Sequence, residues 1–344
     1  MSGYRGYRNY RGRGSKGKAA LSVVLVLIII ASIVFMVLQK YIIYDETGTP
    51  HLALPQKEPT QTLQEDEELK LTIQSRLEEQ KLLRLFTVPQ APMSLEDWRL
   101  TWTTAEESGN YNGAVILAKT GDGTVCFDAY SVVGGARAIK RDTTTALMEA
   151  IQGDTAVEHT VAALTCFRDP YAATHDVEKA LGLRRTNGAL FQDGDGTAWT
   201  DPGKPAMRQY LCSLAGQLAG MGFDEILLTE VTYPITGTLD DVDYGETMKT
   251  QNIITFLEEM EQTLAPYDVV LSIQLPEELI LEGSDHLAGL MLEDILSRVD
   301  RVYAVTTEEQ APELAERLAA KNVDFLPILP TGHRWEGSCM TAAQ

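Results

Sequence analysis

From Leu82 onward this 344-residue chain alternates strand-like and helix-like stretches, which predicts an α/β fold, a TIM-type (β/α) barrel behind an N-terminal transmembrane helix. Three observations carry the prediction: one strand delivered by a helix and stopped by a proline, the repetition of that unit, and an uncharged run near the N-terminus. The first lies in Gly222-Phe-Asp-Glu-Ile-Leu-Leu-Thr-Glu-Val-Thr-Tyr-Pro234. Before it, Tyr210, Leu211, Leu214, Leu218 and Met221 recur near helical spacing, and Gly222 stands where a helix is closed by a left-handed residue. Ile226, Leu227, Leu228 and Val231 then form the short apolar run of a parallel strand covered on both faces. Pro234 lacks the N–H that would extend the ladder.

Seven strand candidates emerge: Leu82 to Val88, Gly113 to Ala118, Thr160 to Phe167, Ile226 to Val231, Val269 to Gln274, Val302 to Val305 and Val323 to Ile328. Amphipathic helical stretches separate most of them. Ser94 to Glu107 opens with a Ser cap and early acids, and Glu308 to Ala320 repeats that pattern after Thr306 and Thr307. Seven strands are one short of a closed barrel. Either the tail after Gly332 supplies a poor eighth strand or the barrel is incomplete.

Ala19 to Leu38 holds no charge and would span roughly 30 Å as a helix, the thickness of a bilayer core. It is too long for a signal-peptide core, and no small-x-small cleavage site follows, so it reads as an uncleaved signal anchor. Residues 1–18 carry six Lys/Arg and no acid, which predicts a basic cytoplasmic tail, residues 19–38 as the membrane contact, and an extracytoplasmic remainder. That remainder has 23 basic against 49 acidic residues and excludes nucleic acid as a partner of the body. Residues 39–81 read as a Pro/Thr/Gln-rich spacer followed by an amphipathic helix. In Gln64 to Arg84, Leu69, Ile73 and Leu77 share one face, which fits packing on the barrel or a homodimer contact. The barrel domain is assigned to 82–344.

The four cysteines show no C-x-x-C pairing and the five histidines no H-E-x-x-H spacing, so neither a metal site nor a cofactor is expected. Gly113 to Gly123 runs from a strand into a Gly-rich turn but lacks phosphate-loop spacing. Asp193-Gly-Asp-Gly196 suggests calcium, yet the rest of an EF-hand loop is missing and a hairpin turn suits it better. Barrel chemistry sits at the C-terminal ends of strands, which singles out Thr229, Glu230, Thr232 and Tyr233. If Thr229 points inward, strand alternation turns Glu230 into the helix layer, unless the strand end bends. Asp169, in Cys166-Phe-Arg-Asp-Pro170, also falls at a strand end, where capping a turn competes with chemistry. Trp199 suits a sugar face or the core.

The same residues resemble a family of bacterial envelope proteins, the "putative glycosyl hydrolase domain", thought to be a (β/α)8 barrel. Its pattern reads Gly-Phe-Asp-Glu-Ile, two residues, then Asp-Tyr-Val-Arg-Phe-Pro. This chain keeps Gly222, Phe223, Asp224, Glu225, Ile226, Val231 and Pro234, with Thr229 for the Asp and Thr232 for the Arg. On the second strand Lys119 is kept, while Leu117, Thr120 and Gly121 stand where the family has acids. Phe-Arg-Asp-Pro170 resembles the family's Phe-Lys-Asp-Pro, and Trp199-Thr-Asp-Pro202 its Trp-x-Asp-Pro hairpin end. After Asp300 the family's Pro-Met-Val-Tyr-Pro is replaced by Val302-Tyr-Ala-Val-Thr-Thr.

The resemblance implies Asp169 and Glu230 as remaining catalytic candidates and Lys119, Arg168, Trp199, Thr229 and Tyr233 as substrate-binding ones. The leading reading is an anchored extracytoplasmic barrel, impaired in hydrolysis, that binds an envelope glycan, polysaccharide or protein. An active glycosidase using Asp169 and a second carboxylate is the alternative. A barrel serving only as a scaffold is a third reading, and it predicts no concave aromatic cleft.

Overall fold

The computed structural model describes residues 42–44, 50–52, 82–88, 94–107, 111–130, 141–175, 180–330, 333 and 335–341. The chain divides into two compact units, 1–80 and 81–344. In the first, Ile42–Tyr44 pairs antiparallel with Pro50–Leu52. The expected membrane span 19–38 and most of the amphipathic segment 64–84 lie outside the described residues; its end is not helical, since Arg84 already belongs to a strand. Among the described residues no helix is long and apolar enough to cross a membrane.

The second unit is a closed barrel of eight strands, each hydrogen-bonded in parallel to the next. In chain order these are β1 (Arg84–Thr87), β2 (Gly113–Lys119), β3 (His159–Thr165), β4 (Glu225–Thr229), β5 (Val270–Gln274), β6 (Arg301–Val305), β7 (Asp324–Leu329) and β8 (Cys339–Thr341). The main helices of the outer layer are α1 (Leu95–Glu107), α2 (Arg141–Gln152), α3 (Pro205–Gly220), α4 (Lys249–Leu264) and α5 (Ala311–Ala319). Ser94 caps α1 as expected, its Oγ accepting from the Asp97 amide at 3.1 Å while its own amide donates to Asp97 Oδ2 at 3.1 Å. The last helix starts at Ala311, three residues later than the sequence pattern suggests, with Pro312 in its first turn.

The tail supplies the eighth strand. Three residues suffice, because Cys339–Thr341 is placed against both β1 and β7 and Met340 is buried. Leu85, Val115, Val161, Ala163, Leu227, Tyr303, Leu326, Ile328 and Met340 fill the barrel interior, while alternate residues such as Ile226 and Leu228 join the larger core under the helices.

The stretch from Gly222 to Ile226 organises the N-terminal end of the barrel. Gly222 adopts φ 93°, and a Cβ there would press on the Gln152 side-chain amide. Asp224 Oδ2 accepts from the Thr160 amide and hydroxyl, each at 2.7 Å, tying β4 to β3. Inside the barrel, the fully buried Glu225 carboxylate accepts from Ser272 Oγ at 2.5 Å and Tyr303 OH at 2.7 Å. His159 lies 2.7 Å away, and the Arg301 guanidinium closes the set. Burial opposes ionisation of Glu225, but His159, Arg301 and Ser272 outweigh it and hold the carboxyl below its usual range. These charges lie at the face opposite the strands' C-terminal ends, where they support stability rather than chemistry.

Candidate functional site at the C-terminal face

A cavity of about 650 Å³ opens at the C-terminal ends of β3 to β6. Its floor comes from the last inward positions of the strands. On β4, Leu227 is in the interior cluster, so Thr229 shares its side; on β3, Ala163 does the same for Thr165. The two hydroxyls meet at 3.3 Å. Gln274 and Val305 complete the floor from β5 and β6, and Leu117 on β2 packs against the interior cluster. None of these strand-end side chains carries a charge.

The charges come from the segments beyond the strand ends. Glu230 lines the cavity together with Val231, Thr232 and Tyr233, contrary to the strand alternation that would turn it into the helix layer. The reason is local: β4 ends at Thr229 and Glu230 takes φ 54°, a left-handed conformation rare for such a residue. Its carbonyl accepts from the Phe167 amide at 3.1 Å, which holds the bend against the β3 loop. Burial, and then the Asp193 charge, raise the Glu230 carboxyl above its ordinary value against the opposing pull of Arg168. The Arg168 guanidinium donates to Gly121 O at 3.2 Å and Thr197 Oγ1 at 3.3 Å.

Trp199 and Tyr233 also line the cavity but are almost wholly buried, at 6% and 0% exposure, so neither presents an open stacking face. The indole N–H donates to Asp193 Oδ2 at 2.8 Å, while Asp193 Oδ1 takes the Asp195 and Thr197 amides of the hairpin turn. Asp193-Gly-Asp-Gly196 is therefore a self-capped turn. The Tyr233 hydroxyl accepts from Asn252 Nδ2 at 2.8 Å, and burial pushes its phenol well up.

Lys119 and Asp169 are not among the lining residues. They form a buried ion pair, Nζ to Oδ2 at 2.9 Å, with Lys119 also donating to Thr165 O at 2.7 Å. A register shift in the β2–β3 ladder between Leu117 and Lys119 precedes this inward lysine. Asp169 Oδ1 accepts from the Ala172 amide at 2.7 Å, capping the helical turn Pro170–His175. The structure thus gathers Arg168, Trp199, Thr229, Glu230 and Tyr233 around one cavity and places Lys119 with Asp169 beneath the surface.

Three lining carboxylates escaped the sequence reading: Glu277 and Glu278, which open the helix Glu277–Glu282 two residues beyond β5, and Asp285. Glu277 Oε2 accepts from Thr306 Oγ1 at 2.7 Å, and Asp285 Oδ1 from the Ala288 amide at 3.0 Å. Gln274-Leu-Pro-Glu-Glu278 carried a usable signal, acids immediately beyond a strand's C-terminal end. For Asp285, in a two-residue ladder with Leu290–Met291, no local signal exists.

A closed parallel barrel with a concave, acid-lined cavity at its C-terminal face defines a TIM-type (β/α)8 protein with its candidate site where such barrels carry chemistry. The particular family follows: the model described as "Putative glycosyl hydrolase domain" matches residues 99–306, and the chain belongs to that family. Among solved structures, the PgaB (BpsB) glycoside hydrolase domain from Bordetella bronchiseptica is 14% identical, the match covering 72% of this chain and 84% of that one with a TM-score of 0.52. A hypothetical protein from Ruminiclostridium thermocellum ATCC 27405 is 24% identical over 56% of this chain and 96% of that one, with a TM-score of 0.45. The Bordetella likeness agrees with the barrel fold. No curated protein matches the chain.

Proposed function

We propose that this is a membrane-anchored, extracytoplasmic barrel that binds a cell-envelope glycan in the C-terminal cavity and is impaired in its hydrolysis. The observation that carries the reading is the uncharged strand-end floor, Thr165, Thr229, Gln274 and Val305, of a cavity large enough for a sugar. Glycoside hydrolysis needs two carboxyl groups fixed roughly 5 to 9.5 Å apart across the scissile bond. Here the acids stand beyond the strand ends, Glu230 on a loop, Glu277 and Glu278 in the first turn of the helix Glu277–Glu282 and Asp285 in a two-residue ladder, and Asp169 is committed to Lys119 and to a helix cap. Against a barrel serving only as a scaffold stands the concavity of the site, but not an aromatic cleft, because Trp199 and Tyr233 are buried. Anchoring rests on the uncharged run 19–38 and the basic residues before it.

One observation favours a second reading, an active hydrolase. Glu230 faces the cavity with a raised carboxyl, the property of a general acid, and Glu277 or Asp285 lines the same space. Incubating the full-length chain with envelope polysaccharides, and following bound glycan and released reducing ends separately, tests both. Binding without release is expected. Release abolished by Glu230→Gln would replace the first reading with the second. Protease added to intact cells should degrade the barrel and spare the N-terminal tail; protection of the barrel would overturn the topology.

A further inference from the structure

We propose that the cavity selects a cationic glycan, a chain of amino sugars carrying free amino groups, over neutral, N-acetylated or acidic ones. This rests on reading the cavity as a glycan site, and it adds the charge of the occupant. Four carboxylates line the cavity, Glu230, Glu277, Glu278 and Asp285, against one guanidinium, Arg168. Among the described residues none of the four belongs to an ion pair. Acids elsewhere on the surface do, as Glu258 and Glu261 do with Arg298 and Glu313 does with Arg317.

The nearby cations do not complete the set. Arg168 is engaged with Gly121 O and Thr197 Oγ1. Lys249 donates to Leu287 O at 2.8 Å, stands 3.9 Å from the Tyr244 ring centroid and offsets only Asp285 through space, which leaves Glu277 and Glu278 without a cation. Thr306 and the Ala288 amide each bond one oxygen, of Glu277 and Asp285, which fixes those carboxylates in place. An ionised carboxylate only accepts, so the donors must come from the ligand. A hydroxyl can donate, but an ammonium forms the stronger charge-assisted bond and meets the excess negative charge, which a concave wall focuses. N-acetylation removes that charge, and a uronic acid or phosphate reverses it.

The test measures binding of full-length protein to glucosamine hexamer, its fully N-acetylated counterpart and cellohexaose at low and high salt. Two carboxylates beyond the reach of Arg168 and Lys249 predict up to about tenfold tighter binding of the free-amine hexamer, if each contributes the two- to five-fold typical of an exposed charge pair, and the preference should fade at high salt. Glu278→Gln and Asp285→Asn should each weaken the free-amine hexamer about two- to five-fold and leave the acetylated one unchanged. Glu316→Gln, an exposed acid on α5 away from the cavity, should change neither. Equal binding of all three hexamers would overturn the charge selectivity while leaving a glycan site. An equal loss with Glu316→Gln would assign the preference to general surface charge and overturn it as well. Binding of no hexamer would overturn the site reading along with it.

Discussion

Separating the Lys119–Asp169 pair has a consequence that can be worked from its surroundings. Lys119 Nζ has two neighbours, Thr165 O at 2.7 Å and Asp169 Oδ2 at 2.9 Å, and both side chains are out of water. Asp169→Asn keeps an oxygen for the Ala172 amide but leaves the buried ammonium without its counter-charge. Lys119→Met strands the carboxylate. Removing one partner of a buried pair costs about 3–5 kcal/mol, and the lower end is expected because the stranded group can shed its charge. At about 2–4 °C per kcal/mol for a domain somewhat smaller than this one, that is roughly 6–12 °C in Tm. The double variant Lys119→Met/Asp169→Asn removes both charges and should recover most of the loss, giving a coupling of about 2 kcal/mol or more in a double-mutant cycle. Thermal melts and denaturant titrations of the four proteins supply the cycle. Single variants within about 0.5 kcal/mol of the parent, or losses that simply add, would refute the pair as a structural tie and return Asp169 to the candidates for chemistry.

Glu225→Gln should destabilise by about 3 kcal/mol or more at neutral pH by leaving Arg301 without its buried partner. Because the folded carboxyl lies below its ordinary 4.5, its contribution is present above that pH and fades as pH falls through the depressed value, so the parent and variant stability curves should converge in acid. Glu230, with a raised carboxyl, works in the opposite sense: Glu230→Gln should gain slightly in Tm at pH 7 and nothing below about pH 4, and a gain independent of pH would contradict the raised value. The left-handed backbone at Glu230 also predicts that Glu230→Gly is more stable than Glu230→Ala by about 1 kcal/mol, read from their melts. Met340→Ala, which empties part of the barrel interior at β8, should cost about 2 kcal/mol or more; a neutral result would show that β8 does not close the barrel.

The sequence by itself determined the architecture wherever the deciding chemistry is local. The apolar runs of β2 to β7, the Ser94 cap and Gly222 at the end of α3 are each legible within one turn or one strand, because hydrogen-bond period and backbone freedom act over a few residues. Gly222-Phe-Asp-Glu-Ile226 announced a barrel unit, and its polar members turned out to serve the N-terminal end of the sheet. Only the tertiary structure decided the rest. Cys339–Thr341 is too short to declare itself as a strand and becomes one because β1 and β7 both offer edges to it. Glu230 reaches the cavity because β4 stops one residue earlier and a loop carbonyl contact holds a bend that strand alternation does not foresee. Lys119 finds Asp169 across fifty positions, and Glu230, Glu277 and Asp285 meet around one space, only once barrel closure sets the register. Side-chain convergence over such separations depends on the summed geometry of every strand between, which no local pattern of residues encodes.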